Sequence, residues 1–122
     1  MKLNQLNNDT IVALATPQGQ GALGIVRLSG KDAITMCDKV FGDKHLKPKN
    51  LAGQDTHTIH FGVIHDGDYV LDEVLVSLFK SPHSYTTENA VEISCHGSHF
   101  IQQQIIQLFI RNGARMAENG EF

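Results

Sequence analysis

The stretch Gly19-Gln20-Gly21-Ala22-Leu23-Gly24-Ile25-Val26-Arg27-Leu28-Ser29-Gly30 decides how this chain is read. Its first six residues satisfy G-x-G-x-x-G, and Ile11-Val12-Ala13-Leu14-Ala15 ahead of it reads as a strand, which together suggest a dinucleotide fold. The residues that follow argue against it. A phosphate-binding fingerprint needs its third glycine to open a helix whose N-terminal amides face the pyrophosphate. Gly24 is followed instead by Ile25, Val26, Arg27 and Leu28, which favour a strand, and helical periodicity begins only at Lys31. A P-loop is also excluded here. No glycine sits five residues before Gly30, and Asp32 rather than Ser or Thr follows Lys31.

At 122 residues the chain has the size of one domain and can bury a real core. A formal net charge of -3 gives no general attraction to polyanions, so any such contact has to be local. Cys37 and Cys95 are too few for a disulfide framework, and a reducing cytoplasm is the expected compartment. Met1-Lys2-Leu3-Asn4-Gln5 lacks an apolar leader segment, and no run reaches membrane-spanning length. No export or membrane anchoring is expected.

Outward from the glycine stretch, Met1 to Asp9 reads as a polar arm, Thr10 to Ala15 as the first strand, and Thr16-Pro17-Gln18-Gly19 as a turn. Gly24 to Leu28 is the second strand. Ser29 is the expected N-cap of a first helix, with Asp32 at N3, and Ala33, Ile34, Cys37, Val40 and Phe41 form its apolar stripe. Cys37 reads as a small buried hydrophobe. Residues 42–55, with Lys44, Lys47 and Lys49, read as an exposed basic loop.

Thr56 to His65 alternates, with His57, Ile59, Phe61, Val63 and His65 on one side and Thr58, His60, Gly62 and Ile64 on the other. Asp66-Gly67 is a turn signal before a second strand, Val70 to Phe79, which predicts a hairpin. The strand histidines read as lying at strand ends or on a wet face. Residues 80–87 form a polar loop with one aromatic, Tyr85, of the kind that often shapes a site. In the strand Ala90 to Cys95, Val91, Ile93 and Cys95 share one face while Ala90, Glu92 and Ser94 share the other. Glu92 either sits on a wet face or is held by a specific partner, because a buried unpaired carboxylate is costly.

Ser98 is placed to cap a second helix with Ile101, Ile105, Leu108, Phe109 and Asn112 on one stripe and Gln102, Gln103, Gln104 and Gln107 facing out. Gly113 is a natural C′ residue. Cys95, His96 and His99 straddle a strand end and a helix start without a fourth ligand, a weak zinc pattern. Ala114-Arg115-Met116 reads as a short last strand. Two strand-helix units bracketing a hairpin predict an α+β fold, a mixed sheet with helices on one face and the other face left for a ligand or partner.

The segments Asp9 to Pro17, Gly24 to Gly30, Leu71-Asp72-Glu73-Val74-Leu75-Val76, Pro82-His83-Ser84-Tyr85-Thr86, Val91-Glu92-Ile93-Ser94-Cys95-His96-Gly97 and Gly120-Glu121-Phe122 together carry a resemblance. In this order they resemble the N-terminal domain of the MnmE (TrmE) family of bacterial tRNA modification GTPases, over essentially the whole chain. The resemblance implies a folate-binding fold similar to that of the glycine-cleavage aminomethyltransferase, used also as a dimerisation module. Residues 1–122 would then be this module, with helical and GTPase domains beyond it. It further implies a cytoplasmic homodimer that works with MnmG on the wobble uridine of tRNA and takes a one-carbon unit from 5-formyl- or 5,10-methylene-tetrahydrofolate. GTP, magnesium and potassium would belong to the GTPase domain, so this segment alone is not expected to hydrolyse GTP.

Carried over by position, the family's folate contacts fall on Arg27 in the second strand and Glu92 in the V-E-I-S-C-H-G segment. A pterin presents an N–H beside an amino group, which a carboxylate accepts, and an arginine holds a ring carbonyl or a glutamate tail. A third contact, a lysine after G-E-F, falls beyond Phe122, so reduced affinity is expected. Gln20, Ser98 and Asn119 depart from the family pattern without touching Arg27 or Glu92, and His83 and Tyr85 are candidates to line the same pocket. The alternative is a purely structural dimerisation module with an idle folate site, and a free-standing aminomethyltransferase-like enzyme is a third reading. Direct tRNA contact by this domain is not expected from Lys44, Lys47 and Lys49 alone.

Overall fold

The computed structural model describes residues 9–15, 23–81, 88–118 and 120–121. Within them run β1 (Ile11–Leu14), β2 (Leu23–Ser29), α1 (Ala33–Val40), β3 (Phe41–Gly42), β4 (Thr58–Asp66), β5 (Tyr69–Phe79), β6 (Ala90–His96), α2 (His99–Arg111) and β7 (Arg115–Met116). The strands form one mixed sheet in the order β3-β4-β5-β6-β2-β1-β7, antiparallel except where β7 runs parallel to β1. This is the expected α+β architecture.

Alternation sorts the sheet into two faces. Val12, Val26, Leu28, Val74, Val76, Leu78, Val91, Ile93 and Cys95 point to one side. There they merge with Ala33, Ile34, Cys37 and Val40 of α1 and Ile105, Ile106, Leu108 and Phe109 of α2 into a single core. Both helices therefore cover the same face. The β4–β5 hairpin closes through Gly67 and Asp68 between the paired residues Asp66 and Tyr69, and Gly67 takes the positive φ of 58° that such a turn requires. A register shift follows Ile64, which separates His65 from the strict alternation of the strand before it.

Three expectations are corrected. Ser29 does not cap α1; it ends β2, is buried, and pairs with Ile11 on one side and Ala90 on the other. The helix starts later, at Ala33, because Gly30 at φ 144° turns the chain between strand and helix. A Cβ there would lie 2.6 Å from the Cα of Thr10, so the turn admits only glycine. The buried Thr10 hydroxyl, just ahead of β1, accepts a bond from Asp32 N at 3.3 Å and so serves the helix start. Second, Phe41 belongs to β3 rather than α1, although it is buried as expected. Third, Gln102 faces inward at 7% exposure, since the face of α2 over β2 meets Gly24, which leaves room for a longer side chain.

The basic loop is also more ordered than a solvated loop would be. Leu51–Gly53 forms one 3₁₀ turn whose Leu51 is buried, and Asp38 of α1 accepts bonds from Leu51 N at 2.6 Å and Ala52 N at 3.1 Å. Ser98 caps the start of α2 as expected, its hydroxyl accepting from Ile101 N at 3.4 Å, and Gly113 past its end takes φ 111°.

Candidate functional site

The face of the sheet away from the helices carries a transverse row set by strand register: Ala13, Arg27, Glu92, Ser77 and Ile59, from β1 across β2, β6 and β5 to β4. Directly opposed residues of antiparallel strands point to the same side, so Arg27 and Glu92 meet. Arg27 donates from Nε at 2.9 Å and from Nη2 at 2.7 Å, and both bonds end on Oε2 of Glu92. The side chains are 23% and 22% exposed, so the pair is half sunk in the sheet yet reachable. No described residue hydrogen-bonds the second carboxylate oxygen, Oε1.

The next row, two residues along, is Ile25, Ser94, Leu75 and Phe61. Ile59, Phe61 and Leu75 are 66%, 59% and 43% exposed. The open face thus combines one ion pair and two serines with an uncovered apolar field. That pattern suits a flat polar heterocycle or a second protein surface better than it suits water.

Residues 10–122 match the family model described as "GTP-binding protein TrmE N-terminus". The chain belongs to this family. It is 57% identical over 117 residues to the tRNA modification GTPase MnmE of Flavobacterium johnsoniae, covering 96% of this chain and 25% of that protein. The MnmE of Bacteroides fragilis is 51% identical over 117 residues, with 96% and 25% covered. That of Streptococcus thermophilus is 52% identical over 114 residues, with 93% and 24% covered. The chain thus spans about a quarter of the length of these relatives.

Of the residues singled out from the sequence, Arg27 and Glu92 are brought together. The two readings open for Glu92 both hold, since it lies on the open face and has a specific partner. His83, Tyr85, Gln20 and the first glycines of the opening stretch lie outside the described residues. Gly24, the last of the G-x-G-x-x-G glycines, lies within β2 and opens no helix. Cys95 is buried with Sγ 3.5 Å from the Gly24 carbonyl, and no cluster of His, Cys, Asp or Glu among the described residues can hold a metal ion. No described helix is long and apolar enough to cross a membrane.

The sequence reading missed Asp72. It is buried at 8% exposure and grips the end of β6, accepting from His96 N at 2.8 Å and lying 2.6 Å from His96 Nδ1. An acidic residue on the same alternation as Val74, Val76 and Leu78 in β5 was the available signal. At the opposite end of the sheet Arg115 joins Asp9, 2.8 Å from its Nε, to the carboxylate of Glu121, which tethers the start of β1 to the last described turn.

Proposed function

We propose that this chain is the tetrahydrofolate-binding, homodimerising N-terminal module of a tRNA modification GTPase. In this reading the whole protein works with MnmG to form the carboxymethylaminomethyl group at carbon 5 of the wobble uridine. The one-carbon source is 5-formyl- or 5,10-methylene-tetrahydrofolate. GTP hydrolysis, with magnesium and potassium, belongs to the rest of that protein, which works in the cytoplasm.

The observation that carries the reading is the pairing of Arg27 with a single oxygen of Glu92. It leaves Oε1 able to accept from an N–H donor, while the guanidinium holds the carboxylate in place. A pterin edge supplies such donors, and Ile25, Leu75 and Phe61 offer apolar surface beside them. The donor set fits the cofactor. The exposed Ile59, Phe61 and Leu75 favour a second copy of the chain as the cover for the same face.

Calorimetric titration of 5-formyltetrahydrofolate into the chain tests the first part, beside Arg27→Ala and Glu92→Ala variants checked for folding. Saturable binding that both substitutions abolish supports the folate site. A folded dimer that binds no folate, here and in a longer chain extending past Phe122, would favour the alternative of a structural dimerisation module. A monomer by sedimentation at micromolar concentration would remove the dimer.

A further inference from the structure

We infer that the flank formed by Lys31, Asp32, α1, residues 43–55 and the turn at Lys80 is a docking surface for an RNA phosphate backbone, separate from the Arg27–Glu92 face. The inference rests on the reading that the whole protein acts on tRNA.

Of the ten Lys and Arg residues, six lie on this flank: Lys31, Lys39, Lys44, Lys47, Lys49 and Lys80. The fold gathers them from separate segments. Lys31 and Lys80 line one cleft of about 300 Å³ with Thr35, Ala52 and Asn89, and Lys80 Nζ donates to the Ala52 carbonyl at 2.9 Å. Lys49 Nζ donates to the Phe61 carbonyl, and Lys39 follows Asp38, whose carboxylate holds the 3₁₀ turn at Leu51. Lys44 and Lys47 project from the loop that Asp43 closes.

No lysine is in an ion pair among the described residues, whose ion pairs all use Arg27, Arg111, Arg115 or His96. The reason is local. Four aspartates lie on this flank, but Asp38 gives both its oxygens and Asp43 its Oδ1 to backbone N–H groups. Backbone bonds from Lys47 and His45 hold the Asp43 carboxyl below its usual range, so it remains an acceptor for them. Six lysines against four aspartates give this flank a formal charge of +2 while the rest of the chain carries -5. Glu88, on the neighbouring cleft with Lys31, marks its border.

The chemistry favours a phosphate backbone over an acidic protein. Protein interfaces have an apolar centre, and none of the large exposed hydrophobic side chains falls within residues 31–55. Dispersed lysines without bidentate arginines suit sequence-independent contact with phosphates.

The test is fluorescence anisotropy of a labelled, unmodified tRNA transcript with the chain across a sodium chloride series. The compared variant carries Lys31→Glu, Lys39→Glu, Lys44→Glu and Lys47→Glu, all at exposed positions. The parent is expected to bind with a log–log salt slope on the order of -2 to -4, and the variant to bind about tenfold or more weakly with a shallower slope. A random-sequence RNA hairpin should compete as well as tRNA. If the fourfold variant fails to fold, Lys44→Gln with Lys47→Gln should still lower affinity and slope. Equal binding by parent and variant, or displacement by poly-glutamate at lower concentration than by RNA, would overturn the inference. Folate titration of the same samples separates the readings. A variant that loses RNA but keeps folate affinity supports two surfaces, and a parent that binds folate but no RNA removes this one alone.

Discussion

Both hydrogen bonds from Arg27 to Glu92 end on the same carboxylate oxygen, Oε2, although the guanidinium fork could have spanned both. The arrangement fixes the carboxylate through one oxygen and presents the other. Glu92→Gln keeps the shape and an Oε1 acceptor but removes the charge. Affinity for 5-formyltetrahydrofolate is expected to fall about tenfold or more, as for a charge-assisted hydrogen bond made neutral. Stability should change by only about 1 kcal/mol, because the pair is partly solvated. Calorimetry beside thermal unfolding checks this. An unchanged dissociation constant would mean that Glu92 is not a ligand.

Asp72 is expected to matter for stability rather than for binding. Its carboxylate accepts the His96 backbone N–H at the end of β6, and it is buried on the helix side of the sheet. Asp72→Ala removes that acceptor and leaves the His96 N–H without its partner. A loss of about 2 kcal/mol is expected, or a Tm lower by roughly 8 °C. Folate affinity at temperatures where the variant remains folded should stay within twofold.

The open face was legible from the sequence because period-two alternation alone separates Val91, Ile93 and Cys95 from Glu92 and Ser94. What it could not provide was register. Only the pairing of β2 with β6 places Arg27 opposite Glu92, across 65 positions in sequence, and no local pattern encodes that distance. The misplaced helix cap has the same origin. Ser29 has the chemistry of a cap, yet two strand ladders claim its backbone, and the hydroxyl that serves Asp32 belongs to Thr10, just ahead of β1. Gln102 followed the polar pattern of its helix until the bare surface of Gly24 gave it somewhere to go.

Gly24 and Gly62 make a contrasting pair. A Cβ on Gly24 would fall 2.1 Å from Gln102 Nε2, the far end of a flexible side chain. A Cβ on Gly62 would fall 2.5 Å from the Gly42 carbonyl oxygen and 2.7 Å from the ring of Phe41, neither of which can swing aside. Gly24→Ala is therefore expected to cost about 1–2 kcal/mol and Gly62→Ala about 3 kcal/mol or more. Adding Gln102→Ala to Gly24→Ala should recover part of the loss, a non-additivity that chemical denaturation of the four-member cycle would reveal. Strict additivity would mean that the backbone of β2, not Gln102, absorbs the strain.

Cys37 and Cys95 give the fold a definite response to alkali. Burial pushes both thiols up, helped by the charge of Asp38 at Cys37 and of Asp72 at Cys95, which rises to about 11. A thiol whose pKa is higher folded than unfolded stays protonated in the native state, while the unfolded chain releases its proton near pH 9. Its contribution to stability is complete below that value and is lost as pH rises from about 9 toward 11 at Cys95, and further for Cys37. Tm should therefore hold from pH 7 to 8.5 and fall above it, more shallowly in a Cys95→Ala variant once its lower starting stability is subtracted. At pH 8 neither thiol should react with an aromatic disulfide reagent in minutes, while both should do so in urea, because the thiolate is the nucleophile. Rapid labelling of one native thiol would show that its strand or helix opens on that timescale. Labelling of Cys95 specifically would mean that the hold of Asp72 on the end of β6 is weaker than the bonds to His96 imply.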